Sequence, residues 1–182
     1  MADETRRAAI IGVVTASDRA SAGLYEDKGG PAIVTYLNKI LISPFRIVRK
    51  IIPDGYEWVR DTLIELADKE HCDLILTTGG TGPSPRDLTP EATAAVAARI
   101  LPGFGELMRQ ESLKQVPTAI LSRQIAAHRG PCLVINLPGK PASIEICLDA
   151  VFPAVPYCLD LIGAAYIETD AAILKSFRPK QS

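Results

Sequence analysis

Residues Ile75–Ala92 read ILTTGGTGPSPRDLTPEA, an apolar run that breaks into three glycines and three prolines with one Arg-Asp pair among them. Reversing the chain takes two or three turn formers, so the excess suggests that this loop holds something besides a turn. Beyond it, Thr89 is placed to cap a helix, with Pro90 at its first position and Glu91 in its first turn. Strand, glycine-rich loop and helix in that order make one βα unit, and the rest of the chain repeats the theme.

Outward from this unit, Ala8–Ser17, Asp73–Gly80 and Cys132–Gly139 are continuous apolar runs, of the kind buried on both faces of a parallel sheet. Phe45–Asp54 alternates, as an edge strand does. Between them the spacing is helical. Ile33, Leu37 and Ile40 or Leu41 share one side of the segment after Gly29. Trp58, Leu63, Leu66 and Ala67 share a side of the segment after Tyr56, with Arg60, Asp61, Glu65 and Asp68 outward. Ser143–Leu161 reads as a last helix, kinked near Pro153 and Pro156. This alternation predicts an α/β fold, a three-layer sandwich whose mostly parallel central sheet is flanked by helices. Residues 1–182 are expected to form a single domain with short tails at 1–7 and 175–182, the closing FRPKQS frayed.

With 47% hydrophobic and 23% charged residues and a net charge of -1, the chain is globular in composition and has no basic field for nucleic acid. No apolar run is expected to reach the roughly 18–20 residues of a membrane span. The opening MADETRRAAIIG lacks the pattern of a signal peptide, which makes the cytoplasm the expected location. Cys72, Cys132, Cys147 and Cys158 lack CxxC spacing, and His71 and His128 add no paired-ligand motif. That disfavours a transition-metal site and a disulfide framework, and buried, reduced thiols are expected instead. Neighbouring side chains point apart, so Cys72 beside His71 is not expected to act as a nucleophile.

In a doubly wound sheet, ligands bind beyond the carboxyl ends of the strands. There the sequence puts Thr15, Ser17, Asp18 and Arg19 in the first loop and Asp54 in the second. The third loop carries the glycines with Arg86 and Asp87, and the fourth carries Asn136, Gly139 and Lys140. Glycines let backbone N–H groups approach an anion, and a helix start adds a positive dipole end, a geometry for phosphate. Neither GxxxxGK[ST] nor a GxGxxG after the first strand is present, so the cradle is of another type. Each loop also has a plainer reading. NLPGKP resembles an ordinary βα connection, Asp87 and Asp54 suit a cap or a turn, and Asp18 with Arg19 suits a local ion pair. Together, however, Asp54 and Asp87 beside a phosphate cradle invite Mg²⁺, and Arg86 and Lys140 are candidate phosphate partners. By themselves the residues support Mg-dependent phosphate-ester or nucleotide chemistry.

The motifs TASDRASAG, IIPD, LTTGGTG followed by RDLTPEAT, PGFGE, QESL, AILSR and INLPGKP run in this order between Gly12 and about Tyr157. In them the chain resembles the molybdopterin adenylyltransferase family, and SDRASAG with PTAILSRQ is similar to its bacterial single-domain members. The resemblance implies Mg-dependent transfer of AMP from ATP to the terminal phosphate of molybdopterin, giving adenylyl-molybdopterin and pyrophosphate. It assigns Asp54 and Asp87 to Mg²⁺ and transition-state alignment, and Gly79, Gly80, Thr81 and Gly82 to a loop that receives phosphate or nucleotide. Ser17, Asp18 and Ser122 match positions lining the ligand cleft, Ser122 on the pterin side. Asn136, Pro138 and Gly139 match a turn that helps close the nucleotide or phosphate end. A homotrimer, and hand-over of the product to a molybdenum-insertion enzyme, are implied as well. The chain departs from the pattern at Gly55-Tyr56, where relatives often carry a second acid, and at Pro141–Tyr157, which lacks a loop that some bacterial relatives insert. Two other readings share the motifs: a molybdopterin- or precursor-binding homologue without transferase activity, and a non-catalytic trimeric scaffold module.

Overall fold

The computed structural model describes residues 7–180. All four expected strands are present: β1 (Ala9–Ala16), β2 (Phe45–Ile52), β3 (Leu74–Thr78) and, last in the chain, β6 (Cys132–Leu137). Two strands absent from the sequence reading, β4 (Arg99–Ile100) and β5 (Ala126–Arg129), precede β6. The sheet runs β2-β1-β3-β6-β5-β4. Its first four members are parallel, and β5 and β4 extend it antiparallel, so the sheet is mixed and mostly parallel. As the alternation of Phe45–Ile52 suggested, β2 is an edge.

Seven α-helices accompany the strands among the described residues: α1 (Asp18–Ser21), α2 (Gly29–Ile40), α3 (Tyr56–Ile64), α4 (Thr89–Val96), α5 (Pro102–Leu113), α6 (Pro141–Val151) and α7 (Val155–Ile162). Because strand side chains alternate, each central strand feeds two cores. Ile11, Val13, Leu76 and Ile135 pack with Leu37 of α2, Met108 of α5, Leu148 of α6 and Leu159 of α7. Val14, Ile75 and Val134 pack on the other face with Leu63 of α3 and Val96 of α4. Three layers result, helices on both sides of one sheet. Each fully buried Leu or Ile stabilises this arrangement by about 1.5–3 kcal/mol.

Several expectations need correcting. Trp58 is 57% exposed; the buried face of α3 and the turn after it is Val59, Leu63 and Leu66, one helical stripe offset from the Trp58 position. Thr89 is the first residue of α4, and the cap position belongs to Leu88, which supplies no side-chain hydrogen bond. The Thr89 hydroxyl is buried without a partner. The helical run Pro141–Ile162 is 22 residues long with a mean hydropathy of 1.4, long and apolar enough by those measures to cross a membrane. One apolar face of it packs on the sheet, however, with Ile144, Leu148, Val151, Val155 and Leu159 all in the core. The run is interrupted by the 3₁₀ turn Phe152–Ala154, which contains Pro153, one of the two prolines near which the break was expected.

The C-terminal segment is tied down rather than frayed as far as it is described. Phe177 N–H donates to the Pro153 carbonyl at 2.9 Å, and Arg178 reaches Asp160 at 2.5 Å. Of the expected tails, residues 1–6 and 181–182 lie outside the described residues.

Candidate active site

From β1 the chain moves out to β2 on one side and then crosses to β3 on the other. The carboxyl ends of β1 and β3 therefore bound the crevice in which an open parallel sheet takes ligands. Gly79 and Gly80 form the bend at the end of β3, with φ of 94° and 65°. A Cβ on Gly79 would lie 2.2 Å from the Ala16 carbonyl oxygen. One on Gly80 would lie 2.3 Å from Thr89 Oγ1 and 3.6 Å from Asp54 Oδ1. Only glycine lets the backbone come so close in this conformation.

Asp54 and Asp87 line the same cavity of about 260 Å³, with Ser17, Lys28 and Gly80. The loop after β2 is locked to α1 by a reciprocal pair. Asp18 N–H donates to Asp54 Oδ2 at 2.9 Å, and Asp54 N–H donates to Asp18 Oδ1 at 3.1 Å. Arg86 grips Asp18 through Nε at 2.6 Å and Nη2 at 2.8 Å, and Nη2 also donates to the Asp54 carbonyl at 2.7 Å. That guanidinium holds the Asp18 carboxyl below its usual range. Asp54 moves the opposite way. Burial raises it, the Asp18 N–H offsets part of the rise, and the charges of Asp18 and Asp87 add to it. Asp87 in turn accepts the Ser84 N–H at 3.2 Å through Oδ2.

Beyond the glycine bend lies a second cavity, of about 310 Å³, lined by Thr81, Gly82, Ser122, Pro138 and Lys140 among others. The ridge between the two is the glycine loop with the Pro138–Gly139 turn laid on it. Thr78 Oγ1 donates to the Pro138 carbonyl at 2.8 Å, and a Cβ on Gly139 would sit 3.6 Å from Gly79 Cα.

Two glycine-walled cavities, one holding paired carboxylates, meet where a doubly wound sheet binds ligands. Residues 12–157 match the family model described as a probable molybdopterin binding domain. The chain belongs to that molybdopterin-binding family. It is 55% identical over 171 residues to a molybdopterin adenylyltransferase from Helicobacter pylori, covering 94% of this chain and 97% of the relative. A molybdopterin adenylyltransferase from Escherichia coli is 49% identical over 184 residues, with 94% of each chain covered. Among solved structures, the molybdopterin biosynthesis enzyme MoaB from Thermus thermophilus superposes with a TM-score of 0.78 at 40% identity, over 86% of this chain and 98% of that one.

The structure of this family member sorts the sequence-derived site residues. Thr15, Ser17, Asp54, Gly79, Gly80, Asp87 and Gly139 line the cavity with the acids. Thr81, Gly82, Ser122, Pro138 and Lys140 line the other. Four fall elsewhere. Asp18 and Arg86 form a latch at the rim, and Arg19 lies over the Tyr25 ring at 5.0 Å instead of pairing with Asp18. Asn136 is fully buried, its amide donating to Thr77 and Thr93 hydroxyls at 3.1 and 2.9 Å. It stitches β3, β6 and α4 together beneath the loops, outside the lining of both cavities.

Sequence reasoning missed Asp27, Arg109, Arg123 and Gln124. Asp27 accepts from Thr15 Oγ1 at 3.0 Å, Gly30 N–H at 3.0 Å and Arg49 at 2.7 Å, so it fixes both β1's last hydroxyl and the start of α2. An Asp three residues ahead of a helical amide is a capping signature that would have revealed it. Arg123 had no comparable local signal. Its Nε donates to Gly82 O at 2.9 Å, and its other nitrogens reach Asp87 O and Glu91.

Among the described residues no three His, Cys, Asp or Glu side chains form a metal cage. The pair Asp54 and Asp87 instead suits a magnesium ion that arrives on substrate phosphates, because such ions keep waters and use one or two carboxylates. The raised Asp54, a half-buried carboxyl facing other acids, is the observation that fits an incoming cation. Burial pushes the Cys72 thiol up to about 12, the wrong direction for a nucleophile.

Proposed function

We propose that this chain is a molybdopterin adenylyltransferase of molybdenum cofactor biosynthesis, moving AMP from ATP to the terminal phosphate of molybdopterin and releasing pyrophosphate. The observation that carries the reading is the pairing of Asp54 and Asp87 in one cavity beside the glycine bend. A phosphate oxygen of molybdopterin attacks the α-phosphorus of ATP, and the bond from that phosphorus to the bridging oxygen breaks. No enzyme nucleophile is needed, so the chain's share is to position two polyanions and offset their charge.

The acid-lined cavity suits the nucleotide. The larger one suits the pterin, since Val116, Leu121 and Ile146 give it apolar wall for a flat heterocycle. Phosphates then meet over the glycine ridge, with Lys28 and Lys140 as cations on either side. Asp54 and Asp87 would hold Mg²⁺, which when bound neutralises charge on the transferring group. The same reading takes residues 1–182 as one domain working in the cytoplasm, as a homotrimer that hands its product to a molybdenum-insertion enzyme. Exposed Leu161 on α7, and Ile120 after α5, are apolar surface available for subunit contact.

The test is incubation with molybdopterin and ATP, with and without Mg²⁺, followed by chromatography of adenylyl-molybdopterin. Mg-dependent product is expected, and Asp87→Asn is expected to abolish it while staying folded. Near-wild-type turnover in that variant would remove Asp87 from the chemistry. Tight molybdopterin binding with no product would make the chain a binding-only homologue.

A further inference from the structure

Ser112, Ser122 and Gln124 in the wall of the 310 Å³ cavity, with Cys147 behind them, form a chain of polar side chains whose mutual bonds the transfer step itself does not require. Ser112 Oγ lies 3.5 Å from Cys147 Sγ, Gln124 Nε2 donates to the same sulfur at 3.4 Å, and Ser122 Oγ donates to Gln124 Oε1 at 2.7 Å. Cys147 is wholly buried and Gln124 is 1% exposed, so water does not compete for the bonds to the sulfur, while the Ser122 end faces the cavity half-buried. The Gln124 amide stands with its oxygen toward Ser122 and its nitrogen toward the Cys147 sulfur. A serine hydroxyl has one hydrogen and two lone pairs. With that hydrogen directed to Gln124 and one lone pair taking the Gln124 backbone N–H at 3.4 Å, Ser122 is left with one lone pair, and no hydrogen, for the cavity. Arg109 also lines the cavity and donates to the Gln124 backbone carbonyl at 2.7 Å. A guanidinium accepts nothing, so it serves only acceptor groups.

We propose that Gln124, braced by Cys147, is a positioning residue that decides what this cavity recognises. It holds Ser122 as an acceptor, so the cavity selects a heterocycle that presents an amino N–H to Ser122 beside a ring carbonyl for Arg109. That is the edge of a 2-amino-4-oxopyrimidine, the head of a pterin. The inference rests on the reading of this cavity as the pterin end. A ring with oxygen in place of the amino group would set lone pair against lone pair, and a site built around one donor rejects the analogue that lacks it.

The experiment is fluorescence titration of the full chain with pterin and with lumazine, in which an oxo group replaces the 2-amino group. The wild type is expected to bind pterin about tenfold tighter or more. Gln124→Met conserves volume but frees the Ser122 hydroxyl to turn outward and donate, so the preference is expected to shrink to about threefold or less. Gln124→Glu keeps an acceptor facing Ser122 and is expected to restore the wild-type preference. Cys147→Ala withdraws the sulfur from the far side without touching the cavity wall, and should narrow the preference in the same direction. Thermal melts establish folding. If Gln124→Met does not fold, Cys147→Ala decides.

A folded Gln124→Met or Cys147→Ala with the full wild-type preference would overturn the proposal, as would a Gln124→Glu that loses it. A wild type that makes adenylyl-molybdopterin but does not discriminate would sink this inference and leave the transferase reading standing. A wild type that discriminates but makes no product would do the reverse.

Discussion

Asp54 is the residue at which function and stability pull apart. Its folded pKa is raised, first by burial and then by the charges of Asp18 and Asp87. The fold therefore prefers the protonated carboxyl. The stability this contributes is present below the ordinary carboxylate value and is lost as pH rises through the raised folded value. Above that value the ionised group is a liability, one that the proposed role in holding Mg²⁺ accounts for. Asp54→Asn keeps an acceptor for the Asp18 N–H and removes the charge, so it is expected to abolish adenylyl transfer. It should also stabilise the protein, by no more than about 1 kcal/mol because water screens a half-exposed site. Urea denaturation at neutral pH and again near pH 4 checks this, and the gain should shrink at the lower pH. A variant less stable than wild type at both would show that the carboxylate is structurally required. The acids themselves were legible, since each follows a strand, but their environments were not. That Arg86 takes Asp18 while Asp54 is left beside Asp87 depends on contacts between residues 68 and 32 apart in the chain, respectively for the Arg86 pair with Asp18 and the Arg86 bond to the Asp54 carbonyl.

At the scale of elements, the glycine loop is held from outside by Arg123, at the exit of the 3₁₀ turn Pro117–Leu121. Its backbone N–H donates to Thr81 O at 2.9 Å, and its guanidinium spans Gly82, Asp87 and Glu91. The fork geometry lets one side chain grip the loop and the first turn of α4 together, which a lysine point charge does not reproduce. Arg123→Lys is therefore expected to lower kcat/KM by about tenfold to a hundredfold through misplacement of Asp87, since small errors in position are costly. Amide hydrogen exchange over Gly79–Asp87 should quicken in step, and unchanged exchange would refute the clamp. This part of the site was hidden in the sequence, because an arginine that bonds carbonyls leaves no spacing to read. The same limit explains the strands that went unseen. β4 has two residues and β5 four, AAHR, too short to show a period, whereas the four parallel strands announce themselves as apolar runs. Trp58 misled for a related reason: a large apolar residue beside a helical stripe looks like part of it until the neighbouring elements fix which side is inside.

Taken whole, the sheet divides its labour between its two ends. The carboxyl ends of β1, β2 and β3 carry the acids and the glycine bend, while the opposite end carries a structural knot around Asp73. That carboxylate is 2% exposed and accepts Ile10 N–H at 2.9 Å, Ala165 N–H at 2.8 Å and two bonds from Arg7 at 2.8 and 2.5 Å. It ties the entry to β1, the start of β3 and the segment after α7 at a single point. No ligand function is needed to explain it, because four donors satisfy both oxygens. From Asp73 to the glycine bend the chain runs the whole of β3, about 16 Å at the usual rise per residue. The two ends should then be separable. Asp73→Asn replaces one acceptor oxygen with a donor facing donors, and is expected to lower unfolding free energy by about 2–4 kcal/mol. Under conditions where the variant remains folded, its kcat and KM for adenylyl transfer should equal those of the wild type. Chemical denaturation gives the first quantity and the chromatographic assay the second. A loss of turnover in folded protein would mean that the sheet transmits strain from one end to the other; intact turnover with reduced stability would show that the fold's anchoring and its chemistry are built on opposite ends of the same strands.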